Sequence, residues 1–501
     1  MERTKTRYLL GIDNGSTLSK AALFAEDGTE LASAARKIER LEPRPGWSER
    51  DVAAMWDDTA EVIREVITAA GMDPADIAGI ACTGHGNGLY LVDEAGNPVR
   101  NAINSTDARA ASYIDQWIAD GVDARVLPMT TQCLWPAQPN ALLAWLRDHE
   151  PEVLARAAWV QFAKDFIRTQ LTGEIWMERT DMSASSLMNV VTGDYDDRVP
   201  AAFGIAEMKR LLPPLRMTHD LCGRVTAEAA ARTGLAEGTP VAGGMFDIDA
   251  CCLASGIIDA GQMSLVAGTW GNNQYIAREP LVDRELFMTS CYSIPGWYLM
   301  LEGSPTSAGN LEWFVERFMA EEKTTGKPVF KICDEEVASV GPEESDLLFL
   351  PFLYGTNEDS AAKSSFLGLN GRHTRAHVLR AIYEGIVFAH HHHLQRLLQF
   401  RDRPECIRFT GGVARSEVWV RMFADCFQLP VEIPAGSELG ALGAAIAAAV
   451  AVGVYPGYRE AVAGMTRIAR RYEPDPTKAA VYAEKYARYK AAVAALDGFW
   501  S

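Results

Sequence analysis

Two stretches, one in each half of the chain, follow a single pattern: an apolar strand, a turn of glycine with serine or threonine, and a returning strand. The first is residues 8–12, the turn Asp13-Asn14-Gly15-Ser16-Thr17, and residues 20–24. The second is residues 263–267, the turn Gly268-Thr269-Trp270-Gly271, and residues 273–276. Asn-Gly signals a tight hairpin because such a turn wants positive φ. In the first half, Glu26-Asp27-Gly28 turns into a third strand near residues 30–34. Val52, Met55, Trp56, Val62, Ile63 and Val66 then recur at helical spacing, with Ser48 and Asp51 as a capping box and Gly71 as the stop. A strand at residues 77–83 follows. The order β-β-β-α-β predicts a mixed sheet with helices on its faces. A strand at residues 297–302 and a helix after Ser307 continue the echo in the second half. Only turn-rich stretches such as residues 235–239 suggest a junction.

Composition narrows the partners. The 501 residues allow roughly two to four domains, and a 48% hydrophobic share supports a full core. Lys and Arg number 48 against 66 Asp and Glu, a net charge of −18. The basic cluster of Arg467, Arg470 and Arg471 is too small to attract phosphate backbones or anionic membranes, so neither is an expected partner. The nine cysteines are scattered, with no C-x-x-C pair, which argues against disulfide or zinc frameworks. The first apolar run is only residues 8–12, short of a secretory leader, and predicts a cytoplasmic protein. Residues 439–454 are apolar but rich in Ala and Gly, which predicts a close-packed buried helix rather than a membrane span.

Several places carry chemistry. A turn of Gly15, Ser16 and Thr17, with Lys20 following, offers N–H groups and hydroxyls to phosphate oxygens, and Asp13 at the strand end suits Mg²⁺. An ordinary hairpin is the competing reading. Gly268-Thr269 repeats the arrangement. Gly411-Gly412 follows an apolar strand at residues 407–409, and Ser416 caps the next helix; glycines there admit a planar base or ribose. Neither G-x-G-x-x-G nor a P-loop occurs, so those nucleotide folds are disfavoured. Asp247 and Asp249 follow Gly243-Gly244 in apolar surroundings, as a base of raised pKa or as helix N-terminal acids. His85, Asn87, Asp107 and Arg109 lie in loops after strands and suit a polyhydroxylated ligand, with Trp135 to stack on a sugar face. In the run His390 to His393 only the first and last share a helix face, and no third ligand is evident, so a structural role is expected.

The chain resembles the FGGY carbohydrate kinases over nearly its whole length. The strongest match is Ser364-Ser365-Phe366-Leu367-Gly368-Leu369, seven residues, then His377-Val378-Leu379-Arg380-Ala381-Ile382-Tyr383-Glu384. A looser one surrounds Ala163-Lys164-Asp165-Phe166. The resemblance implies an α/β protein of two actin/hexokinase-like (ribonuclease H-like) domains with an interdomain cleft. Residues 1–238 would form the sugar side and residues 239–501 the ATP side. It implies ATP and Mg²⁺ as cofactors and Asp247 as the base that takes a proton from a terminal sugar hydroxyl. Asp13 would organise Mg²⁺ and phosphates. Thr17, Gly268 and Thr269 would face the nucleotide phosphates, Gly411, Gly412 and Ser416 would border the adenosine, and Gly15, Ser16, Lys20 and Gly309 would complete the cofactor site. His85, Asn87, Asp107, Trp135 and Asp247 would meet the sugar. Asp249 departs from the family pattern and rivals Asp247 as base. The implied product is a ketopentose 5-phosphate, with L-xylulose ahead of other pentuloses, erythritol or glycerol as substrate. The resemblance allows a homodimer. A non-enzymatic actin-like ATPase is the rival reading; it predicts an apolar partner surface and no polar sugar-side loop.

Overall fold

The computed structural model describes residues 7–268, 270–324, 326–356, 361–496 and 498–500. Strand β1 (Tyr8–Asn14) returns as β2 (Leu18–Ala25) and then β3 (Glu30–Lys37), all antiparallel, with Asp13 opposite Lys20. Helix α1 (Val52–Ala70) crosses to β4 (Ile77–Gly84), which lies parallel to β1. A long helical excursion, including α2 (Ala163–Thr172), ends at the strand Leu221–Arg224 and at β5 (Pro240–Ala242). The first sheet reads Leu221–Arg224, β5, β4, β1, β2, β3.

Helix α3 (Asp247–Ala254) leads to the second sheet. There β6 (Gln262–Ala267), β7 (Gly271–Ala277) and β8 (Tyr298–Ser304) form the antiparallel meander. Helix α4 (Arg375–Leu397) leads to β9 (Cys406–Thr410), and α5 (Glu417–Phe427) to β10 (Val431–Pro434), both strands parallel to β6. The order is Met288–Cys291, β8, β7, β6, β9, β10, Ile468–Tyr472. The two sheets share a five-strand plan, and each adds an antiparallel strand outside the fifth. The expected repeat and the two-domain α/β fold are therefore present.

Three local expectations change. Asp51 alone caps α1, accepting from the Ala54 N–H at 3.0 Å. Ser48 instead precedes a short strand, Glu49–Arg50, and its hydroxyl accepts from Asn104. The first hairpin closes from Gly15 N–H to Leu18 O at 3.1 Å with neither Asn14 nor Gly15 at positive φ. The long ladder on both sides of β1 fixes that crossing, so the turn's own preference does not decide it. Finally, β5 belongs to the first sheet, Val241 pairing with Ile80. A division at residue 238 thus cuts the first sheet; the chain leaves it only after α3, through residues 255–261.

The first sheet is covered on both faces. Leu10, Ile12, Leu23, Ile80, Cys82 and Val241 face α1 and α2. Leu9, Ala22, Phe24, Ala81 and Ala242 face a helix from the far end of the chain, α6 (Leu439–Ala451). This is the expected buried Ala/Gly helix. Its fit is backbone against backbone. A Cβ on Gly11 would lie 1.8 Å from the Ala441 carbonyl oxygen, and one on Gly443 would lie 2.2 Å from that of Ala250. Among the described residues no helix is long and apolar enough to cross a membrane.

The histidine run lies in α4 and plays the expected structural role. His390 bridges Ser307 Oγ (3.0 Å) and Asn273 Oδ1 (3.1 Å), and His393 bridges Ser304 Oγ (2.7 Å) and Glu302 Oε2 (3.2 Å). The pair pins α4 to β7 and β8. Burial, with His393 alongside, pushes the His390 imidazole down to about 3, so it stays neutral.

Candidate active site

Asp13 is the penultimate residue of β1, beside the first turn of α6. A Cβ on Gly440 would lie 2.5 Å from Asp13 Oδ2, so only glycine lets the helix approach this carboxylate. Asp13 Oδ1 has no hydrogen-bond partner among the described residues. Burial pushes the acid up to about 6, opposed by Lys20 and assisted by Glu438. Lys20 itself pairs with Glu438 at 3.0 Å. Ser16 and Thr17 stand exposed at the hairpin tip.

Asp247 is the first residue of α3, so it is at once a helix N-terminal acid and a carboxyl of raised pKa. Burial holds it well above the usual range, and the charges of Asp13 and Asp181 add to this. The N–H groups of Asp247 and Ile248 pull the other way. A carboxylate with elevated proton affinity is suited to accept a proton from an alcohol. Asp249 is turned about 200° around the helix. Its Oδ1 accepts from Ser293 N (3.0 Å) and Ser293 Oγ (3.2 Å), and the residue is fully buried.

The sugar-side residues fall into two groups. His85, Gly86 and Asn87 follow β4. The His85 N–H donates to Asn14 O, and its Nε2 meets the Tyr90 hydroxyl at 3.0 Å. Burial and the nearby Arg50 push its imidazole down to about 4, so it is neutral. Asn87 is buried in the left-handed region, φ 59°, and its Oδ1 lacks a partner among the described residues. An unpartnered buried acceptor calls for a donor from outside the chain. Trp135 stacks on Phe287 (centroids 5.2 Å, 24°) and borders Phe246 and Ile248. Residues 131–133 pair with the edge of the second sheet, Cys133 N–H donating to Phe287 O. Trp135 therefore sits where the halves meet.

Asp107 is placed differently from the expectation. Its oxygens accept from Ser48 N (2.7 Å), Arg109 N (2.8 Å), Arg109 Nε (2.9 Å) and Arg109 Nη2 (2.9 Å). Arg109 in turn lies 4.0 Å over Trp47. Asp107 spends its acceptors on Ser48 and Arg109.

Sequence reasoning missed Asp181. Neither of its oxygens has a hydrogen bond among the described residues, and Lys164 Nζ lies 3.2 Å away. Burial pushes it up to about 7, opposed by Lys164. A Cβ on Gly86 would meet it at 2.7 Å, which places it behind the sugar-side loop. Lys164 also pairs with Asp165 at 2.8 Å, and these acids keep its ammonium charged although burial works against that. The Lys164-Asp165 pair had a sequence signal; Asp181 had none.

In the second half, Gly411 adopts φ 94° with a Cβ position 2.3 Å from Ala267 O, whereas Gly412 opens on empty space. Gly268 donates to Trp270 O at 3.1 Å and accepts from Ala308 N at 2.9 Å, next to Gly309, which opens the helix Gly309–Phe318. Thr269 lies outside the described residues. Ser416 caps α5 as expected, accepting from Trp419 N at 3.1 Å, and donates to Asp334 at 2.6 Å.

Residues 8–254 match the N-terminal domain of the FGGY family of carbohydrate kinases, and residues 263–452 match its C-terminal domain. The chain belongs to that family. As an FGGY kinase it is a sugar phosphotransferase, and the family uses ATP. The L-xylulose/3-keto-L-gulonate kinase of Escherichia coli is 40% identical over 496 residues, 99% of this chain and 98% of that protein. A probable L-xylulose kinase of Pasteurella multocida is 36% identical over 493 residues, 98% of this chain and 99% of that one. The crystal structure of a xylulose kinase from Rhodospirillum rubrum superposes with a TM-score of 0.88 at 30% identity, covering 99% of this chain and 100% of that chain. In the FGGY match the N-terminal domain runs through α3 and so carries Asp247.

Proposed function

We propose that this kinase transfers the γ-phosphoryl group of ATP to the terminal hydroxyl of a pentulose, L-xylulose first, giving the 5-phosphate. The observation that carries the reading is Asp247 at the N-terminus of α3, its carboxyl raised by burial and by the charges of Asp13 and Asp181. The names of the E. coli and P. multocida relatives support the sugar. Asp247 takes the hydroxyl proton as the O–P bond forms. The unpaired oxygen of Asp13 is fitted to Mg²⁺, directly or through water, and the ion when bound neutralises phosphate charge. Ser16, Thr17 and Gly268 line the phosphates, and Gly411 and Gly412 border the adenosine. Asn87 and the neutral His85 direct hydrogen bonds at the sugar, with Trp135 as the apolar wall. The sugar side is carried by first-half loops, and the nucleotide lies between the first hairpin and the second sheet.

ADP release with Mg·ATP across L-xylulose, D-xylulose, L- and D-ribulose, 3-keto-L-gulonate, erythritol and glycerol tests this. L-xylulose is expected to give the highest kcat/KM; a clear lead for any other member would replace it. Asn87→Ala is expected to raise the sugar KM by about 5–150-fold, the span of one buried hydrogen bond, with the ATP KM unchanged. A rise confined to ATP would relocate the sugar.

A further inference from the structure

The four residues before Asp247 are held one by one, and from four different parts of the chain. The Gly243 N–H donates to Asp220 O at 2.9 Å, and its carbonyl accepts from Arg168 Nη1 at 2.6 Å. The Gly244 N–H donates to Thr218 O at 3.1 Å. The Met245 carbonyl accepts from Thr83 Oγ1 at 2.8 Å. The Phe246 N–H donates to Thr180 Oγ1 at 3.0 Å. There is no slack behind the turn: Gly244 has φ 82°, and a Cβ there would meet Cys82 O at 2.0 Å.

Two of these holds converge on one buried carboxylate. Glu178 Oε2 accepts from the Thr180 hydroxyl at 2.7 Å, and Oε1 accepts from Thr180 N (2.8 Å) and from the Thr218 hydroxyl (3.0 Å). The Thr180 hydroxyl has a single proton, and Glu178 takes it. Its lone pairs are thereby turned toward the Phe246 amide. The amide that precedes the base is thus oriented by a side chain with no place in the substrate wall.

We propose that Thr180 is a positioning residue for phosphoryl transfer: with its hydroxyl fixed by Glu178, it holds the Phe246 amide and so sets the carboxylate of Asp247. This rests on Asp247 being the base. A base displaced by a fraction of an ångström loses rate without losing substrate, so the effect belongs in kcat.

Thr180→Val keeps the shape and removes the hydroxyl; Thr180→Ser restores it. Thr180→Val is expected to lower kcat by about 10–100-fold with both KM values within about twofold, and Thr180→Ser to recover most of the rate. In an Asp247→Asn background Thr180→Val should add no further loss, because it acts through the missing base. Should the valine variant not fold, Thr180→Ala removes the same hydroxyl without a branched side chain and carries the same expectation. A folded Thr180→Val or Thr180→Ala enzyme with wild-type kcat overturns the proposal, as does a Thr180→Ser enzyme as slow as the valine variant. An active Asp247→Asn enzyme, by contrast, sinks the base assignment itself.

Discussion

Asp247→Asn is expected to cut kcat by about 10²–10⁴-fold, the span of a general base, while nucleotide binding persists. Asp249→Asn should be milder, since that carboxyl is turned to Ser293; dead Asp249→Asn with active Asp247→Asn would exchange the roles. The same variant carries a stability signature. A carboxyl whose folded pKa lies above its unfolded value contributes stability below pH ~4, and that contribution is lost as pH rises through the folded pKa. Asp247, Asp13 and Asp181 are all raised. Above the ordinary carboxylate range each of the three therefore carries a stability cost in the folded chain. Asp247→Asn removes one, so calorimetry should show a Tm a few degrees higher in an enzyme that no longer turns over. An inactive variant with a lower Tm would point to a structural acid. In the wild type, kcat/KM should fall on the acid side well above the ordinary carboxylate range. A profile flat down to about pH 5 would deny Asp247 its raised pKa.

Gly11→Ala has the largest expected effect on folding. The added methyl would lie 1.8 Å from the Ala441 oxygen and 2.6 Å from its carbonyl carbon, and a helix backbone cannot rotate out of the way. Relief requires α6 to lift from β1. That opens the apolar seam and separates Gly440 from Asp13, two residues along the same strand. The cost is about 3 kcal/mol or more, at the upper end of overpacking. Soluble yield and Tm should both drop, and remaining folded enzyme should turn over slowly. Gly412→Ala, which meets nothing, should keep wild-type stability. A Gly11→Ala protein with unchanged Tm would mean that α6 seats elsewhere.

The hairpins, the meander order and the inward pair His390 and His393 were legible because apolar runs broken by glycine and helix spacing are local, although Asn14 and Gly15 do not take the positive φ that the Asn-Gly signal implies. So was Asp247, whose glycine pair and apolar flanks mark a buried turn. Asp181 and Glu178 were not: their meaning lies in Lys164, Thr218 and Phe246, brought in from distant segments. Asp107 misled for the same reason. Nothing in Ser105-Thr106-Asp107 says that Ser48 and Arg109 will claim both oxygens. The division at residue 238 failed because a turn-rich stretch marks a loop, not the end of a sheet, and β5 is only three residues long. Ser48 lost its capping role because Glu49 and Arg50 pair as a strand with Ala102 and Ile103 before α1 begins.

Helix α6 comes from the second half and roofs the sheet of the first. In a domain-swapped dimer two chains trade such an arm; here one chain makes the exchange with itself. The duplicated halves are consequently not separable modules. A fragment ending after α3 would keep every strand of its sheet yet expose Leu9, Ala22, Phe24 and Ala81 to water, and the complementary fragment would carry an alanine helix with nothing to sit on. Their covalent linkage supplies the high effective concentration that lets so featureless a surface find its groove.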